Sequence, residues 1–336
     1  MKRTLFCLIV LLAVLLASIT AAAALGDGHL SLARTLHALQ AGASSASLDA
    51  VIVWQVRLPR ILLAALVGAS LAASGTAFQS LLRNDLADPF LVGVSAGASV
   101  GAEAVLLRHQ ETAMQGFAVP LTAFAAAAAA MTLVYAIARR GGRILVTSLL
   151  LGGVVVSAFL GSVSVLLLTL AHPNDLQQIQ YRMNGSLADA TFGQCLITLA
   201  FFILGFALLW WQGRAMNLYA LGEEAAQQLG LAPERFKTLL ILTGSLLAAV
   251  TVAFAGIIGF VGLMVPHIAR RLSGTPDHRR VLPLAALAGA VLMVWADTAA
   301  RTALPDGREL PVGLVTAFLG APFFLSLLRR HTQHSA

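Results

Sequence analysis

Apolar runs constrain this chain more than any other feature: they recur from end to end with only short polar breaks, each near the ~20 residues a helix needs to cross a ~30 Å hydrocarbon core. Of 336 residues, 58% are hydrophobic and 11% are charged, against about 25% charged in an ordinary soluble domain. Water is therefore not the main solvent, and the length supplies membrane crossings rather than a sizeable soluble domain. Residues 1–336 read as a single all-α transmembrane domain of ten segments: 4–25, 58–82, 90–107, 115–138, 144–170, 191–212, 236–257, a short 264–273, 281–300 and 311–328. Lys2-Arg3, an apolar stretch and Ala21-Ala22-Ala23 also fit a cleavable signal peptide. A retained first helix is favoured, because the downstream topology works with the N-terminus inside.

The net charge of +7 is a topology signal rather than a sign of nucleic acid, since the basic residues sit in small clusters between apolar runs. With both termini inside, the cytoplasmic ends hold Lys2, Arg3, Arg83, Arg139, Arg140, Arg143, Arg214, Arg235, Lys237, Arg270, Arg271, Arg279, Arg280, Arg329 and Arg330, or 15 of the 22 Lys and Arg. The other 7 are Arg34, Arg57, Arg60, Arg108, Arg182, Arg301 and Arg308. That bias is the one expected of an oriented bundle. The eighth segment is broken by Gly256, Gly259, Gly262 and Pro266 and is too short to cross as a regular helix. Irregular backbone at membrane depth must be buried in protein or line a wet cavity, so this stretch should face the bundle interior or the cytoplasmic mouth.

Small residues recur at helical spacing in Gly93, Gly97 and Gly101, and in Gly68, Ala72 and Gly75. Such faces allow close helix packing, within one chain or between subunits. Ala125–Ala130 reads as helix filler. Catalytic chemistry is missing. The only lysines, Lys2 and Lys237, do not follow glycine, so no GxxxxGK[ST] phosphate loop exists. There is no HExxH or paired Cys/His spacing, and Cys7 and Cys195 lie in apolar runs. No enzyme activity, metal site or bound cofactor is expected of this chain.

Glu103 and Asp297 are the carboxylates that fall within spans and are candidates for a transport role. Their plainer readings are pairing of Asp297 with Arg301 one turn away, and an approach of Glu103 to a wet mouth near Arg108. Leu221–Lys237 is the longest polar stretch on the proposed inner side: Glu223, Glu224, Gln227 and Gln228 suit a short surface helix, Gly230 its stop, and Pro233 the start of another helix. Two short helices with a bend suit docking of a soluble partner, the alternative being a solvated loop. On the other side Arg57, Pro59, Arg60 and Arg301 mark span ends, where arginines either snorkel or meet an acidic surface.

These residues fall within longer motifs: Arg57-Leu58-Pro59-Arg60, SGTAFQSLLRNDLADPFLVGVSAGAS (Ser74–Ser99), MNGSL (Met183–Leu187), ALGEEAAQQLGL (Ala220–Leu231), GFVGLMVPHIAR (Gly259–Arg270) and ELPVGLVTAFLGAPFF (Glu309–Phe324). In these, essentially end to end, the chain resembles the FecCD permeases of ABC-type importers for iron-siderophores, haem and cobalamin. The resemblance implies a ten-helix subunit of the type II importer kind, with one short or broken helix, paired with a second copy around a path on the dimer axis.

Two cytoplasmic ATPase subunits, which would bind the ATP and Mg, would then dock at a coupling segment about 214–237. The contact residues would be Ala220, Leu221, Gly222, Glu223, Glu224, Gln228, Leu229, Gly230 and Leu231, with Pro266, His267 and Arg270 nearby. A periplasmic or lipid-anchored binding protein would present acidic residues to Arg57, Arg60 and Arg301. Ser95, Gly97 and Ser99, with Asn184 and Gly185 in the segment from about Asp175 to Leu187, would line or gate the path.

The implied setting is a bacterial inner membrane, and the implied mechanism is ATP-driven alternating access. One departure stands out: Asp85 replaces the proline of the family's Arg-Asn-Pro-Leu-Ala. The rival reading is an ion-coupled secondary transporter in which Glu103 or Asp297 carries the proton. The cargo is not legible from the motifs.

Overall fold

A computed structural model describes residues 2–26, 31–43, 45, 47–108, 117–304 and 308–334. The side chains of Asp175, Arg329 and Arg330 lie outside the described set. The chain runs α1 (Lys2–Ala24), α2 (Leu32–Ala41), α3 (Leu48–Val51), a π-helical stretch (Ile52–Arg57), α4 (Leu58–Leu82), a 3₁₀ turn (Pro89–Val92), α5 (Val94–Leu106) and α6 (Ala118–Ala138). A tight hairpin of β1 (Arg139–Arg140) and β2 (Arg143–Ile144) leads to α7 (Val146–Thr169), α8 (Pro173–Met183), α9 (Phe192–Trp211), α10 (Gly213–Tyr219) and α11 (Glu223–Gln228). Then follow α12 (Pro233–Ala255), α13 (Val261–Ser273), α14 (His278–Thr302) and α15 (Val312–His334).

Seven of these rods, counting Leu48–Leu82 as one, are long and apolar enough to cross a membrane. The shorter apolar α5 and Val312–Leu327 of α15 add two, and α13 occupies the remaining run, so the elements follow the ten apolar runs of the sequence. The chain is thus an all-α polytopic membrane protein with one broken element.

Two helices outside the spans, α2 and α8, and α3 at the head of the second span precede or lie between the long apolar runs, so hydropathy gave no sign of them. Local chemistry starts two of them: the Ser31 and Ser47 hydroxyls accept N–H bonds from Arg34 and Ala50 as N-caps. The second span also begins earlier than its apolar run, because α3 and the π-helical stretch continue into α4 without a break.

Helix α4 is the axle of the bundle, buried along most of its length against α14, α13 and α12. Lipid tails are as apolar as leucine, so helices gain by close backbone approach rather than by hydrophobic burial. A Cβ on Gly68 would strike the Gly289 carbonyl, and one on Gly75 the Gly262 carbonyl. Gly97 and Gly101 meet the α6 carbonyls of Ala126 and Thr122 in the same way. Both small-residue faces are therefore spent inside this chain. Gly93 departs from that stripe: with φ of 81° it turns the chain into α5 beside Val156 and Ser157 of α7.

The break in the eighth element is a hydrogen-bonded junction. Helix α12 stops at Gly256 (φ 71°) and α13 resumes only after Phe260, a non-glycine residue at φ 68°. Two other interrupted segments supply the missing partners. Ser186 N–H donates to Ala255 O at 2.9 Å, Ile257 N–H to Met183 O at 3.2 Å, Val312 N–H to Gly185 O at 2.9 Å and Gly313 N–H to Asn184 O at 3.1 Å. Irregular backbone at this depth persists because its polar groups satisfy one another.

Replacing Gly68 with leucine should lower the melting temperature of the detergent-purified protein sharply, since overpacking costs about 1–3 kcal/mol or more. Leucine at Gly161, which has nothing within 4 Å of a built Cβ, is the control and should leave the melt unchanged.

Candidate functional site

Two polar assemblies sit at opposite ends of the bundle. The first gathers around α10, α11 and the start of α12. Gly222 (φ 115°) and Gly230 (φ 88°) bracket α11, and Pro233 opens α12. The sequence reading of a surface helix stopped by Gly230 matches this geometry. One part is corrected: Pro233 begins the long spanning helix α12 rather than a second short helix, and the short partner is α10, which precedes α11.

Among α11 and its flanks, Leu221 and Leu229 are 66% and 59% exposed, beside exposed Glu224, Gln227 and Gln228. Ala220 and Gly230 are exposed too, while Gly222, Glu223 and Leu231 are half-buried. Leucines turned outward on a short polar element suit a partner surface.

What fixes α11 to the bundle is Lys237, 1% exposed. Its Nζ donates to Ile144 O at 2.8 Å and pairs with Glu223 at 2.9 Å and Glu234 at 2.7 Å. Glu234 in turn accepts the Ile144 N–H at 2.6 Å. Three oxygen contacts thus tie α11, α12 and the β1–β2 hairpin to one buried ammonium. Tyr219 donates its hydroxyl to Glu223 at 3.3 Å, stacks on Phe236 and lies under Arg83. Burial first, then the charge of Glu223, pushes the Tyr219 phenol up to about 12, so it remains a donor.

Nearby, Pro266 lies inside α13 and cannot donate to the Gly262 carbonyl. Gln79 of α4 answers it: its Nε2 reaches Leu263 O at 3.1 Å and Gly262 O at 3.5 Å, and its Oε1 accepts from Arg270 at 2.5 Å. Arg270 also pairs with Asp85 at 3.1 Å. Asp85 therefore links the loop after α4 to α13. His267 is half-buried beside the Phe323 ring.

At the other end Arg57, Arg60 and Arg301, the arginines expected to meet a delivery protein, are only 4%, 6% and 7% exposed in the single chain. Arg60 holds Asp297 at 2.9 Å and grips Glu309 with two bonds of 2.9 and 2.8 Å. Arg301 also contacts Asp297 at 3.3 Å. Arg57 donates to Ala23 O at 2.6 Å and Arg301 to Ala22 O at 3.2 Å, so two guanidiniums satisfy the last carbonyls of α1. The charges turn inward because low-dielectric surroundings make a paired, hydrogen-bonded arrangement the only affordable one. Asp297 is thus an ion-pair partner, as its plainer reading held.

Glu103 does not approach Arg108. It is buried at 2% exposure and accepts the Ser164 hydroxyl of α7 at 2.6 Å. Ser95 and Ser99 are half-buried, and Ser99 donates to the Ser95 carbonyl, while Gly97 faces α6 on another side. Asn184 and Gly185 belong to the backbone junction described above. Sequence reasoning missed roles for Lys237, Gln79 and Glu309. An isolated lysine or glutamine within an apolar run was the available signal for the first two.

The long apolar helices and the broken α12–α13 junction define a polytopic helical membrane protein. The family model for the FecCD transport family matches residues 11–330, and the chain belongs to that family, as an ABC importer permease. It is 44% identical over 283 residues to an uncharacterised ABC transporter permease, YvrB, of Bacillus subtilis, covering 83% of this chain and 79% of that protein. It is also 44% identical to the cobalamin import system permease BtuC of Halobacterium salinarum, covering 83% and 73%. A solved inward-facing metal-chelate type ABC transporter superimposes with a TM-score of 0.83 at 29% identity, over 96% of this chain and 98% of that one.

Changing Asp297 to alanine removes the carboxylate that two buried guanidiniums share, leaving Arg60 to Glu309 and Arg301 without a counter-charge, and should cost about 3–5 kcal/mol of stability, read as a collapsed thermal melt or lost expression. Glu309→Gln, at a side chain 26% exposed, should cost much less. Equal effects in the two variants would contradict the buried-cluster description.

Proposed function

We propose that this permease moves a bulky metal chelate, cobalamin foremost, across a bacterial inner membrane by ATP-driven alternating access. The observation that carries the reading is α11: a short helix with outward leucines, pinned to two structural elements by one buried lysine. A soluble motor pressing on Leu221 and Leu229 would have its force delivered through Lys237 to α12 and the α6–α7 hairpin. Support for cobalamin comes from identity of 44% to a cobalamin import permease. An iron chelate is the second reading, favoured by the likeness to a metal-chelate type transporter.

The assembly would be two copies of this chain, two cytoplasmic ATPase subunits holding ATP and Mg, and a periplasmic or lipid-anchored delivery protein. Both termini would be cytoplasmic, on the side that carries α11. Delivery would work by exchange at the buried cluster. An incoming carboxylate would displace the partly exposed Glu309 from Arg60, instead of meeting three free arginines.

Proteoliposomes containing the complete transporter decide the matter: labelled cobalamin should enter only with MgATP and the delivery protein, and a ferric chelate should enter poorly. ATP-independent entry would overturn the mechanism. Gly230→Val strains a position at φ 88° that side chains rarely adopt, and it should let ATP hydrolysis continue while uptake falls. Glu309→Gln should tighten salt-sensitive docking of the delivery protein, and weaker docking would count against the exchange.

A further inference from the structure

A groove runs lengthwise between α6, α9 and α12, and three cavities follow one another along it. The first, about 330 Å³, opens beside the β1–β2 hairpin and has Arg139 and Arg235 at its rim. It shares Leu239 and Leu242 with the second, of about 370 Å³. The second meets the third, of about 310 Å³, at Phe124. Below the rim the lining is alanine, leucine, methionine and phenylalanine with few polar atoms.

The polarity changes along the groove in a way that specifies its occupant. Arg139 and Arg235 are exposed, and among the described residues neither has a carboxylate within ion-pair distance. Glu234, on the same wall, is already bound by Lys237 and the Ile144 N–H. The hairpin joins Ala138 of α6 directly to Val146 of α7. A link that short between two spans holds Arg139, Arg140 and Arg143 at the level of the lipid headgroups. From Leu239 to Ala253 the α12 floor extends roughly 21 Å, more than the roughly 15 Å of one leaflet of a ~30 Å core. The groove also opens sideways past the exposed Ile203, Leu204 and Leu242.

We infer that this groove binds one anionic phospholipid, its phosphate bridged by Arg139 and Arg235 and one acyl chain laid along α6, α9 and α12. Guanidinium forks match phosphate oxygens. A free anion would leave the apolar strip empty, and a neutral-headed lipid would leave the cations unmatched. The site abuts the Lys237 cluster, whose Ile144 and Glu234 line the rim but spend their polar groups on Lys237 and on each other, and it lies apart from the broken-helix junction.

The test uses the full-length protein in nanodiscs of equal phosphatidylglycerol and phosphatidylcholine, with retained lipid read by native mass spectrometry. Wild type should keep phosphatidylglycerol over phosphatidylcholine by roughly tenfold or more. Arg139→Gln/Arg235→Gln, both at exposed positions, should bring that ratio close to one with an unchanged melting temperature. Ala128→Trp, which fills the middle cavity, should reduce retention of both lipids.

A wild-type ratio in the double variant would overturn the inference, as would displacement of the lipid by inorganic phosphate. Loss of ATPase association with lipid retention unaltered would assign the arginines to an acidic protein surface. Loss of pairing between copies in Ala128→Trp, with lipid retention again unaltered, would make the groove a subunit contact.

Discussion

Inside hydrocarbon no water is present to satisfy a loose N–H, carbonyl or charge, and each unpaired group costs several kcal/mol. The structure is organised around that constraint. Where α12 stops at Gly256, the freed backbone groups pair with Met183–Ser186, and that segment pairs in turn with Val312 and Gly313. Where Pro266 cannot donate within α13, Gln79 reaches across from α4. Where α1 ends, Arg57 and Arg301 take its last carbonyls. Three interruptions that would each be prohibitive alone become a set of mutual contacts.

Those contacts connect the two ends of the bundle through α4. One end of this rod carries Arg60, locked to Asp297 and Glu309, and the other carries Gln79 and Arg83, which touch α13 and Tyr219. Between them Gly68 and Gly75 let α14 and α13 approach to backbone contact. Interfaces packed that tightly move as units rather than deform. Displacement of α11 would therefore pass through Lys237 into α12 and the hairpin as a rigid shift, the kind of input an alternating-access permease needs.

Asp85 shows how a charge in a connecting loop can be absorbed. It contributes a backbone donor and a carboxylate to the loop after α4, and the carboxylate pairs with Arg270 at 3.1 Å. Arg270 also donates to Gln79, so Asp85 joins the network that supports the broken helix.

Much of the architecture was legible in the sequence. Hydropathy located ten membrane elements, because a span needs a long apolar run whatever it packs against. Gly230 and Pro233 marked the ends of α11 and the start of α12, because their backbone limits are local. The short helices α2 and α8, and the α3 extension of the second span, escaped, since they carry no such run. Tertiary structure alone decided the fate of the charges. Arg60 finds Asp297 and Glu309 at separations of 237 and 249 residues, and Lys237 finds Ile144 93 residues away. Pairing across such distances depends on which helices become neighbours, and glycine contacts between backbones set that choice. Hydropathy could place an arginine at the end of a span, but only the packed bundle could turn it inward.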